Sequence, residues 1–333
     1  MSNVIKNIKP LGFPWVTQDP FLFCAYHDDV YPKGNGQLGP DASLEGRNLG
    51  QDFLFKDGWN MYHGSKVPGF PGHPHRGFET VTVANKGWID HADSLGGAGR
   101  YGDGDVQWMT AGKGLQHSEM FPLIHEEKKN PSEVFQIWLN LPANKKLVEP
   151  DYKMLWSNQI PHLEEEGVNV KVIAGQLNSI MALDPTNDSW ANDVNNEVAI
   201  WTIELSPGSR WTLPACSQGV NRSLYFFKGN TLTVAGNRID QACAIELTWD
   251  EVEISANDDS VKLLLLQGRP INEPVAQLGP FVMNSDAEIQ QTVRDYQSGQ
   301  FGGWPWDSNE PNHGAFIERF ARYPDGREEY PKG

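Results

Sequence analysis

Sulfur and positive charge are both scarce in this chain. Of 333 residues only three are cysteine, Cys24, Cys216 and Cys243, and no two form a close CxxC pair. That excludes a thiolate zinc knuckle and a disulfide framework. It also fits a reducing compartment, so a cytoplasmic protein is expected. Lys and Arg total 27 against 43 Asp and Glu, a net charge of −16. Direct nucleic-acid binding needs concentrated basic residues and is not expected; the acidity serves solubility. No run of about 18 apolar residues occurs, which argues against a helical membrane span. The N-terminal "MSNVIKNIKPLGFPWV" lacks the apolar core of a signal peptide. HExxH is absent, which excludes the commonest zinc-protease motif. No histidine occurs between His162 and His313, so that part of the chain cannot assemble an imidazole cluster.

What remains is a pattern of short strands. Hydrophobic residues make up 39% and charged residues 21%, and 33 glycines and 23 prolines are scattered along the chain. "VTV" at Val81–Val83 and the runs Val134–Leu141, Val198–Leu205, Ser223–Gly229, Thr231–Gly236 and Val261–Gly268 are rich in β-branched, aromatic and leucine residues and are bounded by Gly, Pro or Asn. "FKGNTLTVAGNRI" predicts a tight hairpin turning at Gly229-Asn230. One helix is marked: "SDAEIQQTVRDYQSG" opens on Ser285 with Glu288 three residues later, a capping-box pattern, and Ile289, Val293 and Tyr296 follow at helical spacing. The strands fall into two sets joined by a polar connector, "PANKKLVEPDYKMLWSNQIPHLEEEG", with room for a short helix. The expected fold is all-β, two tandem jelly-roll-like barrels with few short helices. The expected domains are 1–145, 146–283, and a helix and tail over 284–333 that packs on the barrels. Gly34–Trp59 reads as an insertion loop. The aromatic tail is expected to strap over a barrel surface.

The nine histidines are at positions 27, 63, 73, 75, 91, 117, 125, 162 and 313. "GFPGHPHRGFET" carries His73 and His75 two apart, and "GLQHSEM" carries His117 and Glu119 at the same spacing. Residues i and i+2 of a strand share a face. Each pair therefore projects together, and two such strands turned toward one barrel interior bring three imidazoles and a carboxylate to one place. Pro74 suits an extended conformation at His73. Three nitrogens and one oxygen suit a first-row transition metal with open positions, and fit Ca²⁺ poorly. Taken singly, each histidine reads more simply as a loop or capping residue. His63 and His91 are expected to be surface or hydrogen-bonding residues.

"HPHRGFETVTV", "HADSLG", "GDVQWMTAGKGLQHSEM" and "GPFVMN" closely resemble the pirin family, a two-barrel branch of the cupins. The likeness is dense over about Pro68–Met120, looser through "DPFLFCAYHDDVYP", and patchy in the second half. It implies an iron or other transition-metal site on three histidines and one glutamate, matching His73, His75, His117 and Glu119. In a typical cupin the carboxylate ligand comes from the first motif, where Glu79 is the nearest match. In pirins it comes from the second, so Glu79 is expected only to hydrogen-bond nearby. The C-terminal barrel is expected to lack metal ligands and to stabilise or shield the first. The long Gly34–Trp59 loop and the extended tail depart from shorter pirins, which bears on substrate more than on metal.

Members of this family cleave the flavonol quercetin with O₂. The resemblance therefore implies one mononuclear metal, Fe(II) foremost, with Ni, Cu, Mn, Co or Zn as alternatives. It implies Glu119 as catalytic base and a pocket for flat rings, for which Phe70, Arg76, Phe78, Trp108 and Met109 are candidates. Beside a barrel, Phe70, Phe78, Trp108 and Met109 are more often core residues, and Arg76 fits a structural salt bridge equally. Pirins also act as iron-dependent redox-sensing regulators that bind a protein partner, and a metal-storing cupin with an unrelated substrate is a third reading. A monomer is expected.

Overall fold

The computed structural model describes residues 4–332. Among them the chain is built of short strands, with one α-helix, Asp286–Gln297. The all-β expectation holds. Two compact units form, and neither is contiguous. One gathers the residues up to Ala25, Ile137–Pro142 and Asn158–Glu273; the other gathers Tyr26–Gln136, Ala143–Ser157 and the chain from Pro274 on. The cuts expected at 145/146 and 283/284 therefore do not coincide with the compact units. Strand pairing gives the reason. Ile5–Pro10 pairs antiparallel with Cys243–Leu247 inside the first unit, and Phe320–Arg322 pairs antiparallel with Ala98–Gly102 inside the second. Each chain end is thus tied to a strand far from it in sequence.

The first unit has a seven-stranded sheet, in the order Ile5–Pro10, Cys243–Leu247, Asn221–Lys228, Val261–Gly268, Ala199–Leu205, Val168–Ala174, His162–Glu165. A four-stranded sheet contains Arg210–Leu213, Val252–Ala256, Leu232–Val234 and Asn237–Ile239. Alternation does what it predicts: Trp201, Ile203 and Leu205 all enter one core with Leu224, Phe226 and Leu265. The interior is filled with apolar side chains. The predicted hairpin at Gly229-Asn230 does not form. Asn221–Lys228 pairs with Cys243–Leu247 and Val261–Gly268 instead, while Leu232–Val234 pairs with Asn237–Ile239 in the other sheet. Gly229 is where the chain leaves one sheet for the other. Its φ is 115°, and a Cβ there would meet Val261 and the Ser260 carbonyl. The actual two-residue turn is Ala235-Gly236, both at positive φ, 49° and 76°, the backbone that a right-twisted hairpin requires.

The second unit carries the histidine motifs. Its six-stranded sheet runs Glu328–Glu329, Phe320–Arg322, Ala98–Gly102, Trp88–Asp93, Leu115–Met120, Gly69–His75. A five-stranded sheet runs Asp151–Leu155, Val106–Thr110, Phe78–Lys86, Asn130–Asn140, Phe21–Tyr31, and the unit boundary falls inside its last two strands. The connector is more structured than expected. It contains a short 3₁₀ turn at Ala143–Lys145, and also two strands, Asp151–Leu155 and His162–Glu165, each hydrogen-bonded into a different sheet. The helix is capped as expected: Ser285 Oγ accepts from the Glu288 amide.

Candidate metal centre

Gly69–His75 and Leu115–Met120 pair antiparallel, with His73 directly opposite His117. A bulge between Phe70 and His73 sets this register, and re-aims the side chains that follow it. The three imidazoles of His73, His75 and His117 consequently converge, each offering a nitrogen within 4.8 Å of the others. His73 Nε2 lies 3.0 Å from His75 Nε2. The His117 ring centroid is 4.5 Å from that of His73 and 4.9 Å from that of His75.

Surrounding groups fix the orientation. His73 Nδ1 donates to the Pro71 carbonyl at 2.9 Å. A carbonyl only accepts, so Nδ1 holds the hydrogen and the Nε2 lone pair faces the cluster. Phe78 packs edge-on against His75, centroids 5.0 Å apart. Burial strips water from all three rings and keeps them neutral: His73 is pushed down to about 4, and His75 and His117 fall well below the usual imidazole range. His117 is fully buried, and neither of its ring nitrogens has a hydrogen-bond partner. Orphaned buried nitrogens are costly, and a cation that accepts their lone pairs removes that cost. Neutral, converging imidazoles fit a first-row transition metal.

Glu119 stands beside this cluster, with Oε2 3.9 Å from His117 Nε2. Its Oε1 accepts from Thr82 Oγ1 at 2.9 Å and its Oε2 from Gln136 Nε2 at 3.0 Å. Burial raises its pKa, against the lowering effect of those hydrogen bonds. Glu79 is fully buried and accepts from Trp108 Nε1 and Thr110 Oγ1, which is the hydrogen-bonding part expected of it.

The five pocket candidates separate. Phe70 is half-buried, stacks on Tyr62 at 5.1 Å, and meets His73 edge-on at 6.4 Å. Phe78 backs His75. Trp108 and Met109 are buried in the barrel wall, Trp108 tied to Glu79, so these two are core. Arg76 is occupied elsewhere. It donates to the Lys113 carbonyl at 2.6 Å and to Asp295 at 2.7 Å on the helix, and its guanidinium lies over Phe301. It anchors the C-terminal helix to the histidine strand.

His91 was expected at the surface or hydrogen-bonded; it is fully buried, with Nε2 3.0 Å from Asp93 Oδ2. In the sheet His91 pairs with Glu119 and Asp93 with His117, and the His91 ring is 5.6 Å from that of His117. The i, i+2 spacing of "HAD" is the signal that could have found this pair. Thr82 and Gln136 went unread as well. Thr82 is a polar residue inside an alternating strand, and that is its only mark. The tail straps this unit as expected: Gly72 N donates to the Asn309 carbonyl, Trp306 Nε1 to the Asp93 carbonyl, and His313 Nε2 to the His91 carbonyl.

A pH dependence follows from the buried imidazoles. His27, whose Nδ1 lies 2.8 Å from Tyr62 Oη, is also pushed down to about 4 by burial. The unfolded chain protonates these histidines near 6.5; the folded chain protonates His73 and His27 only near 4, and burial pushes His75 and His117 well below the usual imidazole range as well. The unfolded state therefore binds more protons between those values, and stability present above 6.5 is lost as pH falls through the window. Metal-free protein is expected to show a clearly lower urea midpoint at pH 5 than at pH 7. Equal midpoints would contradict the neutral assignment.

The comparisons with known proteins agree with this geometry. The Pirin family model matches residues 15–139, and the Pirin C-terminal cupin domain model matches residues 200–302. A Pseudomonas aeruginosa protein provisionally named quercetin 2,3-dioxygenase is 39% identical over 243 residues, covering 70% of this chain and 80% of its own. Pirin-like protein 2 of Arabidopsis thaliana is 37% identical over 318 residues, 90% of this chain and 91% of its own. Among solved structures, a quercetin 2,3-dioxygenase from Acinetobacter baumannii superposes with a TM-score of 0.70 at 28% identity, over 90% of this chain and 98% of that one. With both barrels matched and the histidine motifs brought together in one of them, this chain belongs to the pirin family.

Proposed function

We propose that this pirin is a dioxygenase that opens quercetin or a related flavonol with O₂ at one transition metal, Fe(II) foremost, held by His73, His75 and His117 with Glu119 beside them. The observation that supports this reading is the convergence of three neutral imidazoles, His75 and His117 buried and His73 half-buried, two of them offered by one extended strand. When bound, the metal supplies Lewis acidity to a coordinated hydroxyl and a site for O₂. The chain supplies the rest. Glu119 Oε2, the carboxylate oxygen beside His117, accepts the proton of the flavonol 3-hydroxyl. Its raised pKa makes it a stronger base than an exposed carboxylate. Gln136 Nε2, bonded to that same oxygen, orients it. Phe70 presents a flat apolar face next to His73, suited to an aromatic ring. Phe78 holds His75 in place. Water is kept from His75 and His117 by their burial.

The test uses protein of measured metal content, mixed anaerobically with quercetin and then exposed to O₂. Loss of the flavonol absorbance with matching O₂ uptake is expected. Metal-loaded protein that leaves quercetin and related flavonols unchanged would overturn the enzymatic reading and leave the redox-dependent regulator, which binds a protein partner without turnover.

A further inference from the structure

Both oxygens of Glu119 lie within hydrogen-bond distance of residues from the other sheet. Glu119 is on Leu115–Met120 in the six-stranded sheet, whereas Thr82 is on Phe78–Lys86 and Gln136 on Asn130–Asn140, neighbouring strands of the five-stranded sheet. Thr82 is 1% exposed and Glu119 3%. Inward positions of a small barrel are ordinarily apolar, because a buried polar group costs free energy unless it is hydrogen-bonded. Here three polar side chains meet. Thr82 Oγ1 lies 2.9 Å from Glu119 Oε1 and 2.6 Å from Gln136 Oε1, and Gln136 Nε2 donates to Glu119 Oε2 at 3.0 Å. Thr82 has one hydroxyl hydrogen and stands between two acceptors, so it serves either the carboxylate or the amide.

This arrangement holds the carboxylate off the imidazole cluster. The three histidine nitrogens group within 4.8 Å, and Glu119 is not part of that group. The oxygen nearer to His117, Oε2, is the one bonded to Gln136. A metal that takes Glu119 draws on the oxygen already bonded to Gln136 Nε2, and a charge-assisted hydrogen bond is the stronger kind, so the two pull on one atom.

The geometry points to Thr82 and Gln136 as positioning residues that compete with the metal for Glu119. They tether the carboxylate to the opposite wall, weaken its hold on the metal, and keep it available to take a substrate proton. The inference rests on the metal site proposed above. It predicts an unusual direction: removing either tether makes metal binding tighter and turnover slower.

The experiment uses the full chain and Co(II) as probe. Thr82→Val, nearly isosteric, and Gln136→Leu are each expected to bind Co(II) about tenfold more tightly by chelator competition, in line with the loss of one hydrogen bond to a charged group. Their visible Co(II) bands are expected to weaken as the coordination number rises. Thr82→Ser keeps the hydroxyl and is expected to restore both readouts to those of the natural chain. In a Glu119→Gln background the gain is expected to vanish, because no carboxylate is left to release. Unchanged or weaker Co(II) binding in both variants, or a gain that persists without Glu119, overturns the inference. The two readings fail separately. Tighter binding in the variants of a protein that never consumes flavonol overturns the dioxygenase alone. Unaltered Co(II) affinity in the variants of an active enzyme overturns the tether alone.

Discussion

His117→Ala is expected to abolish tight metal binding. Purified without added metal, the variant should contain less than about a tenth of a metal per chain. Its affinity should fall by more than the 10–100-fold typical of losing an outer-shell partner, because a ligand itself is gone. The expectation rests on placement. His117 lies opposite His73 in the ladder and is the one imidazole in the group contributed by the second strand. With it removed, two imidazoles remain on one strand, their Nε2 atoms 3.0 Å apart, beside a carboxylate bonded to Gln136 and within reach of Thr82. The replaced side chain touches no solvent, so a thermal melt of the variant separates metal loss from unfolding. A variant that melts normally and retains full metal occupancy would remove His117 from the ligand set.

The largest effect on stability is expected at a pair outside the cluster. Arg100 Nε and one of its terminal nitrogens bond to the two oxygens of Asp90, each at 2.6 Å, and both side chains are fully buried. Arg100 also donates to the Phe316 carbonyl, and Asp90 accepts from the His313 amide at 2.9 Å. One ion pair thus fastens the tail to the sheet that contains the histidines. Asp90→Ala leaves a buried guanidinium without its counter-ion, which costs about 3–5 kcal/mol. It should appear as a large drop in the urea midpoint. Exchanging both partners, Asp90→Leu with Arg100→Met, leaves no stranded charge and should recover most of that loss. A single variant as stable as the natural chain would show that the pair does not hold the tail.

The part of the site that was legible in the sequence is the part that depends only on local geometry. His73 and His75, like His117 and Glu119, are two apart, and strand periodicity alone puts each pair on one face. Ser285 and Glu288 likewise announce a helix start through a local hydrogen bond. What was not legible depends on which strands become neighbours. Gly229-Asn230 has turn chemistry, yet the chain uses it to change sheets, because Asn221–Lys228 finds partners in Cys243–Leu247 and Val261–Gly268. "DYKML" lies in a polar connector and becomes a strand only because Val106–Thr110 offers it an edge. Arg76 adjoins His75 in sequence and looked suited to a ligand, but Asp295, more than two hundred residues on, takes its guanidinium. Thr82 is marked only by its polarity within a strand, and it and Gln136 matter only because the fold closes them over Glu119.

The central claim is that His73, His75 and His117 together hold one transition metal. X-ray absorption at the metal edge of the loaded, full-length protein tests it most directly, since imidazole rings give a distinct multiple-scattering pattern that can be counted. The account predicts three imidazoles on one metal, and no sulfur, since thiolates are not part of the cluster. Two or fewer imidazoles, or any metal–sulfur distance, would contradict it.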